Sequence, residues 1–275
     1  MAMSNATSFA VSEPPLSSGF VFPPRVLEIS RERQNHKLSL CGLDTRIWGD
    51  AGDPTFLGMY AIMAQRRSGR SINGNLQMTQ IYRLNSPIPL NQPISMAGEV
   101  PRIEPHPRGA QVFTDFGFAL NDGSVPLRAS RSSLNPGPCD PAGCRVAMPS
   151  DPLAGMSQIN EVQLIPENVA SLSDEAEHLI HSDPATTERF GFRAPIAGGL
   201  MASHIMLGAV IDETSRVGPV TGLEMDIRFL RPQFLHERVR VLAMPKDAPG
   251  PRRLAVVCVD GKPKNLHTIK AVRFG

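Results

Sequence analysis

Ala194-Pro195-Ile196-Ala197-Gly198-Gly199-Leu200-Met201-Ala202-Ser203-His204-Ile205-Met206-Leu207-Gly208-Ala209-Val210-Ile211 is a run of eighteen residues without Asp, Glu, Lys or Arg. At that length a membrane span is the first reading. The run holds a proline, three glycines, a serine and a histidine, however, and no second span or aromatic anchor accompanies it. It is therefore read as a helix buried inside the protein. A helix apolar on nearly every side needs cover all round. Strand-length apolar text follows it at Arg238–Met244, Arg253–Val259 and Thr268–Phe274, separated by short Gly/Pro/Asp turns. Such neighbours pair antiparallel. The simplest arrangement is α+β: an antiparallel sheet wrapped around one long helix.

Outward from this run, the same order of elements occurs earlier in the chain. The apolar segment Thr55–Ala64 precedes Asn75-Leu76-Gln77-Met78, as 194–211 precedes Gly222-Leu223-Glu224-Met225. Pro87, Leu90 and Ile94 recur as Pro232, Leu235 and Val239, each 145 residues on. Gln111–Leu120 is further strand-like text in the first half. The pattern reads as an internal duplication. It divides the chain into a loose Ser/Pro-rich segment (1–24), a first repeat (25–130), a Pro/Gly-dense linker (131–154) and a second repeat (155–275).

Composition narrows the class. With 275 residues, 41% hydrophobic and 20% charged, the chain can bury a sizeable core. Lys and Arg number 28 against 26 Asp and Glu, a net charge of +2 that gives no basic face for nucleic acid. Aromatics are 5%, with Trp48 the single tryptophan, too few for base-stacking platforms. Four cysteines do not make a disulfide scaffold, and Cys139 and Cys144 lack a second pair to complete a zinc site. No glycine-rich phosphate loop is present, so no cofactor is expected. The first 25 residues lack the basic and apolar regions of a signal peptide, and Val272-Arg273-Phe274-Gly275 is no peroxisomal tripeptide. The expectation is a cytoplasmic protein without a membrane partner.

Residues 176–204 read AEHLIHSDPATTERFGFRAPIAGGLMASH. This segment resembles the signature of the MaoC-like, hydratase-2 type (R)-specific enoyl-thioester hydratases and dehydratases. In that signature Asp-x-Asn-Pro-[Ile/Leu/Val]-His-x-Asp-Pro is followed by a Phe-Gly step. Pro-Ile-x-His-Gly then opens the central helix. His181, Asp183 and Pro184 match, as do Phe190-Gly191, Pro195-Ile196-Ala197 and Gly199. Three positions depart from it: the family's catalytic Asp is Ala176, its Asn-Pro pair is His178-Leu179, and its histidine before the glycine is Gly198. The resemblance implies a double hot dog fold with the motif in the second repeat. The first repeat, without a site of its own, would make room for the acyl chain. It also implies that His181 works as acid or base on the water that adds across, or leaves, a carbon–carbon double bond. The backbone N–H of Gly199 would polarise the thioester carbonyl.

The chemistry sets its own requirements. Dehydrating a 3-hydroxyacyl thioester needs a base for the C2 proton and an acid for the departing hydroxyl. It also needs donors at the carbonyl oxygen, which the free N–H groups of a helix start supply at Gly198 and Gly199. His181 can move one proton near neutral pH. With Ala176 at the carboxylate's place, Asp174, Glu175 and Glu177 are the candidates for the second group. Ile196, Gly198, Phe190 and Asp183 make up the expected substrate-binding set, although Asp183 also reads as a helix cap. His178 and His204 read as wall or structural residues. Arg66-Arg67-Ser68-Gly69-Arg70 and Pro251-Arg252-Arg253 read as solvated loops, or as contacts for the carrier's phosphates. The expected partner is an acyl-CoA or acyl-carrier thioester, and the expected assembly a homodimer or a pseudo-dimeric monomer. Two other functions stay open: a hot dog thioesterase using a carboxylate near the same helix start, and a non-catalytic acyl-binding homologue, which Ala176 suggests.

Overall fold

The structure, a computed structural model, describes residues 17–68, 72, 74–137, 153–174, 178–213, 220–259 and 264–273. In the first repeat these form β1 (Phe20–Leu27), α1 (Arg31–Leu40), α2 (Thr55–Arg67), β2 (Leu76–Leu84), β3 (Ile94–His106), β4 (Gly109–Ala119) and β5 (Leu127–Pro136). The second repeat contains β6 (Ser157–Gln163), α3 (Pro166–Ser173), a 3-10 turn (Leu179–His181), α4 (Pro184–Arg189) and α5 (Gly199–Glu213). It ends with β7 (Leu223–Phe229), β8 (Arg238–Ala243), β9 (Arg252–Cys258) and β10 (Lys264–Arg273). Cys139, Cys144, Arg70 and the stretch Glu175-Ala176-Glu177 lie outside the described residues.

The apolar run forms α5 as expected, and every residue from Leu200 to Ile211 is buried. Part of its cover comes from α2. A Cβ on Gly58 would stand 2.5 Å from Tyr82 Oη and 2.7 Å from Leu200 Cδ2, so the missing side chain is what lets α2 lie against α5 and β2. The rest comes from one ten-stranded sheet in the order β1-β3-β4-β5-β2-β7-β10-β9-β8-β6. All its pairings are antiparallel. The two repeats join in mid-sheet, where β2 and β7 pair from Thr79↔Arg228 to Leu84↔Leu223. A single hydrophobic core runs through both repeats, from Phe22 and Trp48 to Val241 and Val256.

The duplication shows in the backbone itself. Reading outward from the β2–β7 junction, the strands follow as β5, β4, β3, β1 on one side and as β10, β9, β8, β6 on the other. The isolated bridge Ala51↔Pro89 is matched by Ile196↔Phe234, 145 residues on at both ends. Asn91 and His236 have φ values of 56° and 68° and are also 145 apart. These are the described non-glycine residues with positive φ, a conformation that side chains disfavour.

Two sequence boundaries move. The one drawn near residue 25 falls inside β1, which pairs with β3 from Phe20↔Val100 to Leu27↔Ile94. Pro23 and Pro24 hid this strand, but β1 is an edge strand and its register shifts between Phe22 and Arg25, where prolines are tolerated. The boundary at 131 falls inside β5, which continues to Pro136 between β4 and β2. Among the described residues no helix is long and apolar enough to cross a membrane.

Candidate active site

The start of α5 is held by its own approach segment. Ile196 N–H donates to Ile180 O at 3.2 Å, Ala197 N–H to Gln233 O at 2.8 Å, and Leu235 N–H to Pro195 O at 3.1 Å. Gly198 then closes the first turn, its carbonyl accepting from Met201 N–H at 3.0 Å. A Cβ on Gly199 would stand 2.5 Å from Gln77 Oε1 and 3.1 Å from Phe229, so glycine leaves the helix start open to polar groups from the first repeat.

His181 ends the 3-10 turn and lies over this helix start, with a Cβ on Gly198 only 3.4–3.5 Å from the imidazole Cε1 and Nε2. Its Nδ1 lies 2.8 Å from Ile196 O. A carbonyl only accepts, so Nδ1 carries the hydrogen and Nε2 is left as a bare lone pair. Burial lowers the His181 pKa below the usual histidine value, opposed by the bond to Ile196. The His178 ring stands 4.9 Å away and nearly perpendicular. Burial first, then the charges of His181 and Arg131, pull His178 down to about 3. Both rings are neutral at pH 7, and His181 is a base.

These two rings, Ile196, Gly198 and Gly199 line one cavity of about 490 Å³ between the repeats. Three expected site residues lie off its wall. Asp174 receives Lys37 Nζ at 2.9 Å. Asp183 caps α4, accepting the Thr186 hydroxyl and, at 2.8 Å, the Thr186 N–H, and those hydrogen bonds hold its carboxyl below the usual range. Phe190 is 39% exposed and covers Gly74 of the first repeat. Glu177 is outside the described residues.

Other groups on the wall have no sequence motif. Arg131, Gln233 and His267 are buried there, and Arg108 also reaches the wall. Arg131 Nε, Arg108 Nε, both amide atoms of Gln233, His267 Nδ1 and His178 Nε2 lack hydrogen-bond partners among the described residues. Buried polar groups are rarely left so, and on a cavity wall water or a polar ligand can satisfy them. No Asp or Glu is among the described residues of the wall, and the described residues hold no cluster suited to a metal ion.

The corresponding position in the first repeat is closed. Asp53, 145 residues before Gly198, precedes α2 and is 1% exposed. Its Oδ1 accepts Thr55 N–H at 2.8 Å and its Oδ2 accepts from His204 Nδ1 at 2.8 Å. A carboxylate of the chain itself thus occupies the positive end of α2. His204, expected as a wall or structural residue, is structural: it is a partner of this plug and does not line the cavity.

Two repeats, each an antiparallel sheet around a central helix and fused through β2 and β7, make the chain a double hot dog protein. Its fold is shared by HtdX of Mycobacterium tuberculosis (TM-score 0.73, 15% identity, 92% of this chain and 100% of that one). A MaoC-like dehydratase from Phytophthora capsici is similar at TM-score 0.69 and 13% identity, over 93% and 96% of the chains. A further M. tuberculosis protein, described as having a double hotdog fold, is similar at 0.65 and 12%, over 94% and 97%. No family model and no curated protein sequence matches the chain.

Proposed function

We propose that the protein hydrates a 2-enoyl thioester, or dehydrates the 3-hydroxyacyl thioester, in the cavity between its repeats. The observation that carries this reading is the His181 imidazole, with Nδ1–H fixed on Ile196 O and Nε2 bare, lying over the open start of α5. The thioester oxygen sits at the N–H of Gly199, where the helix start favours the charge that develops on enolisation. In the dehydrating direction His181 Nε2 accepts the C2 proton, the electron pair forms the C2–C3 double bond, and hydroxide leaves C3 with a proton to form water. We assign that proton to Glu177, an acidic residue four positions before His181 in the sequence. The solved dehydratases of the same fold support the reaction class, and the carrier is CoA or an acyl carrier protein.

The test follows crotonyl-CoA by loss of its enone absorbance. Turnover by the wild type, reduced roughly 10²–10⁴-fold in His181→Ala and in Glu177→Gln, is the expected result. Release of free thiol without loss of the double bond would assign a thioesterase instead. Binding of the thioester without either reaction would assign an acyl-binding protein.

A further inference from the structure

Arg108, Arg131 and Arg228 line the cavity with four histidines, and no carboxylate is present among the described residues there. Arg131 is the telling member. It sits in β5, opposite Gln80 of β2 and Thr114 of β4, on the same side of the strand as the inward-facing Leu127 and Ala129. It is 9% exposed, and no hydrogen bond or ion pair engages its side chain among the described residues. A guanidinium taken from water without an anion or acceptor is costly, and chains seldom retain one without a ligand to receive it. Its burial also separates it from the mouth of the cavity, where exposed Arg228 stands. The phosphates of a carrier belong at such a mouth, in solvent.

We propose that the acyl group of the substrate ends in a carboxylate and that Arg131 receives it. The proposal rests on the acyl-thioester reading of the same cavity and narrows it to half-thioesters of dicarboxylic acids. Guanidinium and carboxylate match as a two-pronged hydrogen-bonded pair. The unpartnered amide of Gln233 and the Nε of Arg108 are further donors on the same wall. An alkyl tail, by contrast, would bury Arg131 with no partner at all.

Binding of pantetheine thioesters tests this without phosphates and without turnover. Matched saturated pairs of five to eight carbons are titrated calorimetrically, for example glutaryl against pentanoyl. The carboxylate member of at least one pair binds roughly 30-fold tighter to the wild type, the scale of a charge-assisted pair. Arg131→Met, close in volume, abolishes that preference and leaves the alkyl thioesters unchanged. Equal binding within every pair overturns the proposal, as does an equal loss for both members in Arg131→Met. Weakened binding of free CoA by Arg131→Met also overturns it, because the arginine would then hold a carrier phosphate. Far-ultraviolet circular dichroism checks that the variant is folded, and Arg131→Gln, which keeps a donor, serves if it is not. Hydration of 4-carboxybut-2-enoyl and pent-2-enoyl pantetheine is measured alongside. A carboxylate preference without hydration would remove the hydratase reading and keep the recognition; hydration without preference would do the reverse.

Discussion

At the scale of single residues, the site depends on rings kept neutral by burial. His267 is 4% exposed, stacks edge-on against Phe229 with centroids 5.2 Å apart, and is pushed by burial to about 3. In the unfolded chain its pKa is near the ordinary 6.5. Between these values the unfolded chain binds a proton that the folded one refuses, so acid favours unfolding. The stabilisation is complete above about pH 6.5 and declines as pH falls toward 3, by up to about 1.4 kcal/mol per pH unit for each such ring. Urea unfolding at pH 7 and pH 5 should show the loss, and His267→Phe, which keeps an aromatic ring against Phe229, should reduce it. An unchanged pH dependence in that variant would show that His267 accepts its proton without unfolding. The residues that make up this environment differ in how far they were legible. His181, Ile196, Gly198 and Gly199 lie within nineteen residues of sequence, close enough for a local motif to mark them. Arg131 and His267 reach the same wall through strand pairings and Gln233 from the segment between β7 and β8, and no local pattern marks them. Arg131 was hidden further because RSSLNP is rich in turn residues and reads as linker. Its β5 assignment comes from having partners on both sides.

At the scale of elements, α2 and α5 were legible because each is a long apolar run with no charge in its middle. The edge strands β1 and β6 were not, since Pro23 and Pro24 interrupt the one and Ser157-Gln158-Ile159-Asn160-Glu161-Val162-Gln163 is largely polar. Edge strands make fewer contacts and are selected against stickiness, so their text is weak. The short helices α1 and α3 were also missed, and they fix α2 and the site from outside. Lys37 of α1, 7% exposed at its side chain, donates to Leu172 O at 3.3 Å and to Asp174, closing the end of α3. The contact of α2 with α5 supports a further prediction. Gly58→Ala gains up to about 1 kcal/mol in helix propensity but forces a methyl into Tyr82 and Leu200, an overpacking cost of about 1–3 kcal/mol. Net destabilisation by roughly 1–2 kcal/mol in denaturant unfolding is expected. A stabilised variant would mean that α2 can move away from α5 at little cost.

At the scale of the molecule, the repeats share one core and one sheet. Dividing the chain between them would expose the paired edges of β2 and β7 and the facing sides of α2 and α5. Calorimetry should therefore show one unfolding transition, with van't Hoff and calorimetric enthalpies in agreement. Two separated transitions would establish that each repeat is stable alone. The fusion through β2 and β7 has a consequence for how such a site can change over generations. In a dimer of identical chains every substitution appears twice, and a carboxylate that closes one helix start closes the other. On one chain the two starts vary independently: Asp53 seals the first while Gly198 keeps the second open. The sealed copy lends Arg108, Gln65 and Arg131 to the cavity at the open helix start of its twin. The two repeats thus meet in one site with two dissimilar walls: one carries His181 and the open helix start, the other Arg108 and Arg131.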